Sequence, residues 1–134
     1  MEQNPYQAPQ SEINLPRTAY QKPTLKQLLF SFEGRVPRRV YWGVGFGIVL
    51  VYILIVLGVS AILPEVGGIL ALVLYIPLIW ISLAVGAKRW HDRGKSGWYN
   101  LVGFIPIVGA IWTLVECGCM RGDMGDNAYG PDPT

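Results

Sequence analysis

Apolar residues fall into three long blocks in this chain, and polar residues into the gaps between them. Tyr41–Leu63 runs for 23 residues without a charge, and Gly67–Ala87 for 21. Trp98–Cys117 is a third apolar run, with Glu116 near its end. At a rise of 1.5 Å per residue the first block makes a helix of roughly 34 Å, enough for a hydrocarbon core of about 30 Å. Pro64–Glu65 allows only a tight turn, so the first two blocks are antiparallel neighbours. Ahead of them, Leu25, Leu28, Leu29 and Phe32 recur at i, i+3, i+4 and i+7, one stripe of a short helix. Thr24 and Gln27 stand at capping-box spacing at its start, and Gly34 ends the pattern. The pattern predicts an all-α membrane protein: three transmembrane helices, over 41–63, 67–87 and 98–117, preceded by a short amphipathic interfacial helix. Residues 1–23, rich in Gln, Asn and Pro, lack apolar periodicity and read as a disordered polar tail ahead of a membrane domain over 24–134. They hold no apolar stretch of a cleavable signal, so the first block directs insertion.

Charge sharpens this. The 20 charged residues are 15% of the chain, and only Glu65 and Glu116 lie within the 70 residues of 41–87 and 98–120. A water-soluble domain spreads its charges over its surface, so this segregation excludes an ordinary globular fold. Ten Lys and Arg precede the first block or lie in the loop 88–97, whereas the tail 121–134 has only Arg121 against Asp123, Asp126 and Asp132. With three spans, the positive-inside rule puts the N-terminus and the loop in the cytoplasm and the C-terminus in the periplasm. Were Pro106 and Gly109 to bend the third block into a re-entrant hairpin, the tail would return to the arginines. The net charge of +2 does not suggest nucleic-acid binding.

Two basic-aromatic motifs share one face in this topology. The first places Arg35, Arg38 and Arg39 beside Tyr41 and Trp42; the second, Lys88–Trp98, contains Arg89, His91, Asp92 and Arg93. Guanidinium forks match phosphate and carboxylate geometry, so Arg35, Arg38, Arg39, Arg89, His91, Asp92, Arg93 and Trp98 are candidates for binding lipid headgroups or a partner protein. An ion pair from Asp92 to Arg35 or Arg39 would clamp the loop to the N-terminal segment. Gly43 and Gly47 form a small-xxx-small pair suited to close helix packing within the monomer, and Pro77 and Pro106 suggest kinks. Enzyme motifs are incomplete in this chain. Gly94-Lys95-Ser96 has Arg89 where a P-loop needs glycine, and His91 is the lone histidine, too few for a metal hydrolase. Cys117 and Cys119 do not complete a zinc site. No catalytic residue, metal or cofactor is expected.

The motifs also resemble those of the YhaH-like family of small bacterial inner-membrane proteins, the domain of unknown function 805. Phe32, Gly34, Arg35, Arg38, Tyr41 and Trp42 match its first pattern, and Arg89, His91, Asp92, Ser96, Gly97 and Trp98 its second, with Trp90 replacing the usual leucine. Ile105, Pro106 and Gly109 follow its Ile-Pro-x-x-Gly run, and Gly122, Gly125, Asn127, Tyr129, Gly130, Asp132 and Pro133 its closing pattern. The resemblance covers 25–134 and implies a multi-pass inner-membrane protein, with no activity attached. The function expected is a non-enzymatic membrane module whose cytoplasmic Arg/Trp face binds anionic lipid or an acidic membrane-protein partner. The alternative is a small transporter or channel subunit working as a homo-oligomer.

Overall fold

A computed structural model describes residues 19–134, so most of the expected polar tail, residues 1–18, lies outside the described residues. Helix α1 is Leu25–Phe30, opened by the Thr24–Gln27 capping box. Helix α2 is Arg38–Ile62 and helix α3 is Pro64–Asp92, separated by Leu63 alone. Pro64 fits the first turn of α3 because a helix start needs no N–H there and the ring presets its φ. Near this turn Gly67 lies so close to Ser60 that a Cβ would collide with its side chain. Further along the pair, the Tyr52 hydroxyl donates to Ala71 O at 3.1 Å.

Both helices are long and apolar enough to cross a membrane. Phe46, Leu50, Leu54 and Leu57 on α2, and Ile69, Leu72 and Ile76 on α3, are all exposed. Continuous exposed apolar surface of this kind is suited to hydrocarbon and not to water. The protein's own core sits at one end of the pair, where Val36, Ile81 and Val85 pack with Leu28, Leu29, Val40, Tyr41, Val44 and Ile48. Helix α1 thus turns Leu28 and Leu29 inward against α3, with Phe32 edge-on to Trp80 at 5.2 Å. Its stripe serves mainly this packing, and Leu25 remains exposed. Gly43 and Gly47 face open space, with nothing near the place of a Cβ, so they do not mediate packing within the monomer as expected. Helix α3 continues through Pro77.

The third block is not one helix. It forms a 3-10 helix, Gly97–Phe104, then helix α4, Val108–Thr113, which runs into a π-helical turn, Leu114–Cys119. Between them Pro106 lacks an N–H, and Ile107 takes φ 63°, the left-handed region. A Cβ on Gly109 would run into Val102 O, so only glycine lets the arms approach this closely. Eight residues of 3-10 helix reach about 16 Å, half the hydrocarbon thickness. The far end returns to the near end: Glu116 meets Lys95 Nζ at 2.9 Å and Arg93 Nε at 3.0 Å. The third block is therefore a hairpin and not one continuous helix, and the tail packs at the same end of the molecule as the loop 88–97. Glu116, expected near the far interface, is held here by two cations.

Candidate functional site: the arginine-rich polar end

Gly34, at φ 94°, turns the chain so that Arg35 and Val36 point inward. Arg35 reaches the last residue of α3, with Nε at 3.1 Å and Nη2 at 2.9 Å from Asp92 Oδ1. One turn earlier on α3, Arg89 pairs with the other oxygen of Asp92. All three side chains are buried, with one negative charge between two positive ones. The remaining guanidinium donors find backbone carbonyls. Arg35 donates to Gly125 O at 2.8 Å, Asp123 O at 2.7 Å and Gly130 O at 3.3 Å. Arg89 donates to Cys117 O at 2.6 Å and to Met120 O. Burial weakens the charged forms of Arg89 and Asp92, and their attraction opposes it; a carboxylate held by two guanidiniums stays ionised.

The tail is folded to suit this cluster. A side chain at Gly122 would strike the Asp92 carboxylate, and Asp123 N donates to Asp92 O at 2.7 Å. A turn closed between Asn127 and Gly130 brings the Gly130 carbonyl to Arg35, beside that of Gly125 just ahead of the turn. The acidic side chains of the tail do other work. Asp132 accepts from Gly125 N and from Thr134, whose hydrogen bonds hold its carboxyl down at about 2. Backbone carbonyls, not tail carboxylates, complete the arginine cage.

Lys88 is buried and donates to Gln27 O at 2.8 Å and to Leu28 O near the end of α1. Burial lowers it to about 8. Through His91 the loop reaches both flanks: Nδ1 lies 3.1 Å from Gly34 O, and the ring stacks on Tyr129 with centroids 4.1 Å apart. Burial lowers His91 as well, which favours the neutral ring. Asn127 Nδ2 donates to His91 O at 2.8 Å. The end of the hairpin is tied to α2 by Trp42 Nε1 on Gly118 O at 3.1 Å and Arg38 Nη1 on Cys119 O at 2.6 Å.

The candidate residues therefore divide. Arg35, Arg89 and Asp92 are consumed inside the cluster, and Arg93 is half-buried against Glu116 and Arg121 O. These four are internal scaffold, a correction to their expected place on a binding face. Arg35, rather than Arg39, makes the clamp to Asp92. Arg38, Arg39 and Arg121 stay exposed around a cleft of ≈520 Å³ that Pro37, Gly122, Pro133, Thr134 and the arginine-paired Asp92 also line. Trp98 is exposed, at the start of the 3-10 helix. Sequence reasoning missed Lys88 as a cap of α1 and Tyr129 as the stacking partner of His91; the glycine pattern of the tail was the signal for the latter. Among the described residues, no group of His, Cys, Asp and Glu is placed to hold a metal ion.

Two long apolar helices ending in a buried ion cluster define a small all-helical membrane protein with a folded polar cap. The chain belongs to the DUF805 family, a protein family of unknown function whose model matches residues 29–131. It is 31% identical to the uncharacterized protein YiiR of Escherichia coli K12, over 81% of this chain and 90% of that protein. It is 33% identical to the inner membrane proteins YhaI and YhaH of the same organism, over 76% of this chain and 85% and 86% of theirs. No solved structure matches the chain.

Proposed function

We propose that this protein is a two-span inner-membrane module whose polar end lies in the cytoplasm and holds anionic phospholipid headgroups at Arg38, Arg39 and Arg121. Three features support the orientation and the ligand. All ten Lys and Arg of the described residues belong to the polar end, whereas the α2–α3 turn carries only Glu65. Such an asymmetry favours the cytoplasmic side by the positive-inside rule. The relatives YhaI and YhaH are named inner membrane proteins, in keeping with an inner-membrane location.

The observation that carries the lipid reading is the division of the arginines. Arg35 and Arg89 are saturated by internal acceptors, but Arg38, Arg39 and Arg121 frame an open cleft beside the first turn of α2. Arg38 spends one donor on Cys119 O and keeps the others for a ligand. Arginine forks close to a bilayer surface bind phosphate oxygens in pairs.

The test is retention of lipid. Protein extracted from membranes of mixed phosphatidylglycerol and phosphatidylethanolamine should carry phosphatidylglycerol above its bulk proportion, read by native mass spectrometry. In the triple variant Arg38→Glu, Arg39→Glu, Arg121→Glu that enrichment should vanish. Equal enrichment in variant and parent contradicts the proposal.

A further inference from the structure

On another flank of the polar end lies a cleft of ≈400 Å³ between the segment that follows α1, helix α3 and the hairpin. Its wall is mostly apolar, with Phe32, Leu83, Ala87 and Leu101, and among the described residues it carries no Lys, Arg, Asp or Glu. His91, Ser96 and Asn100 supply its polar groups. Because Gly34 O can only accept, the hydrogen of the neutral His91 ring sits on Nδ1, leaving a lone pair on Nε2. Among the described residues that Nε2 takes no hydrogen bond, and a side chain at Gly97 would meet it at 3.4 Å. Glycine at 97 therefore leaves the imidazole edge uncovered at the cleft. Ser96 Oγ accepts from Trp98 N at 3.4 Å and keeps its O–H free to donate. Asn100 Nδ2 donates to Leu83 O at 2.8 Å, with its amide packed on Gly86 of α3.

We propose that this cleft binds a neutral, hydroxyl-headed amphiphile that enters from the bilayer. Its hydroxyl donates to His91 Nε2 and accepts from Ser96 Oγ, while its tail lies along Phe32, Leu83 and Leu101. The chemistry follows from what surrounds the site. Without a charge on the wall, an ionic head would lose its hydration with no partner in return. An acceptor and a donor lining one cleft match one hydroxyl group. Trp98 and Leu101, both exposed, stand at the mouth, and Phe32 reaches Trp80 on the apolar surface of α3, so the opening is level with lipid. The volume falls within the roughly 300–1,000 Å³ of small-molecule sites, enough for a head and the start of one chain. This site shares no residue with the arginine cleft.

The experiment uses the full chain in nanodiscs of phosphatidylcholine, whose headgroup has no hydrogen-bond donor. A monoacylglycerol with a diazirine in its chain should label Ser96–Leu101 roughly tenfold more than the matching methyl ester, the ratio expected for loss of hydrogen bonds worth about 1.4 kcal/mol. His91→Phe, which keeps the ring stacked on Tyr129, should lose that excess, and His91→Gln, which keeps an acceptor, should retain part of it. Leu83→Trp fills the cleft from its apolar wall and should abolish labelling with the histidine intact. Arg39→Glu should leave labelling unchanged, which separates this site from the arginine cleft. Equal labelling by the ester, or unchanged labelling in either His91→Phe or Leu83→Trp, overturns the proposal.

Discussion

Asp92 supplies the one negative charge between two guanidiniums that are themselves out of solvent. Replacing it with alanine leaves both cations buried without a counter-charge, a change that costs about 3–5 kcal/mol when one partner of a buried pair is removed. Asp92→Ala should therefore unfold at markedly lower temperature in detergent, followed by tryptophan fluorescence, whereas the exposed Asp126→Asn should shift little. A small effect at Asp92 would mean that the carbonyl cage alone stabilises the arginines. The Arg35–Asp92 contact was legible in the sequence because both motifs carry charge on one face of any topology that pairs the first two blocks. Which arginine closes the clamp was not legible. That choice depends on the backbone turn at Gly34, which aims residue 35 inward, while Arg38 and Arg39 start α2 and point out.

At the scale of elements, the first two blocks were readable to within a few residues, since length and absence of charge suffice to define them. The third misled for the same reason. An apolar run of 20 residues has the composition of a spanning helix, but hydropathy says nothing about direction. Pro106, Gly109 and the left-handed Ile107 reverse the chain midway, and Glu116 with Arg93 and Lys95 closes the base. Close contact of the arms at Gly109 gives a prediction. Gly109→Val should force Val102 and Ile105 aside, and overpacking of this kind typically costs 1–3 kcal/mol. The variant should expose Cys117, buried in the parent, to a maleimide reagent faster than the parent does. Unaltered Cys117 reactivity would show that the arms are free to separate.

Taken whole, the molecule has two unlike ends. One is a bare helical turn, Leu63–Pro64, surrounded by exposed apolar side chains. The other gathers the N-terminal segment, the loop, the base of the hairpin and the tail around Arg35, Asp92 and Arg89. The charge pattern announced that division from sequence, because cations cluster where a membrane protein meets the cytoplasm. It did not say where the tail belongs: one basic and three acidic residues gave the tail no claim on the cationic side. The tail is held by its peptide carbonyls, which every sequence has, so no side-chain count reveals them. With the tail in place, the arginines separate into a sealed interior set and an outward set, and the proposed lipid contact rests on that separation.

The polar cap requires the tail to return to the loop's side, and a reporter fused after Thr134 in a bacterial host reads that side. A C-terminal green-fluorescent-protein fusion should fluoresce and an alkaline phosphatase fusion should be inactive, matching fusions made within Gly94–Ser96. An active C-terminal phosphatase, with the loop fusion still fluorescent, would place the tail across the membrane and contradict the folded polar cap.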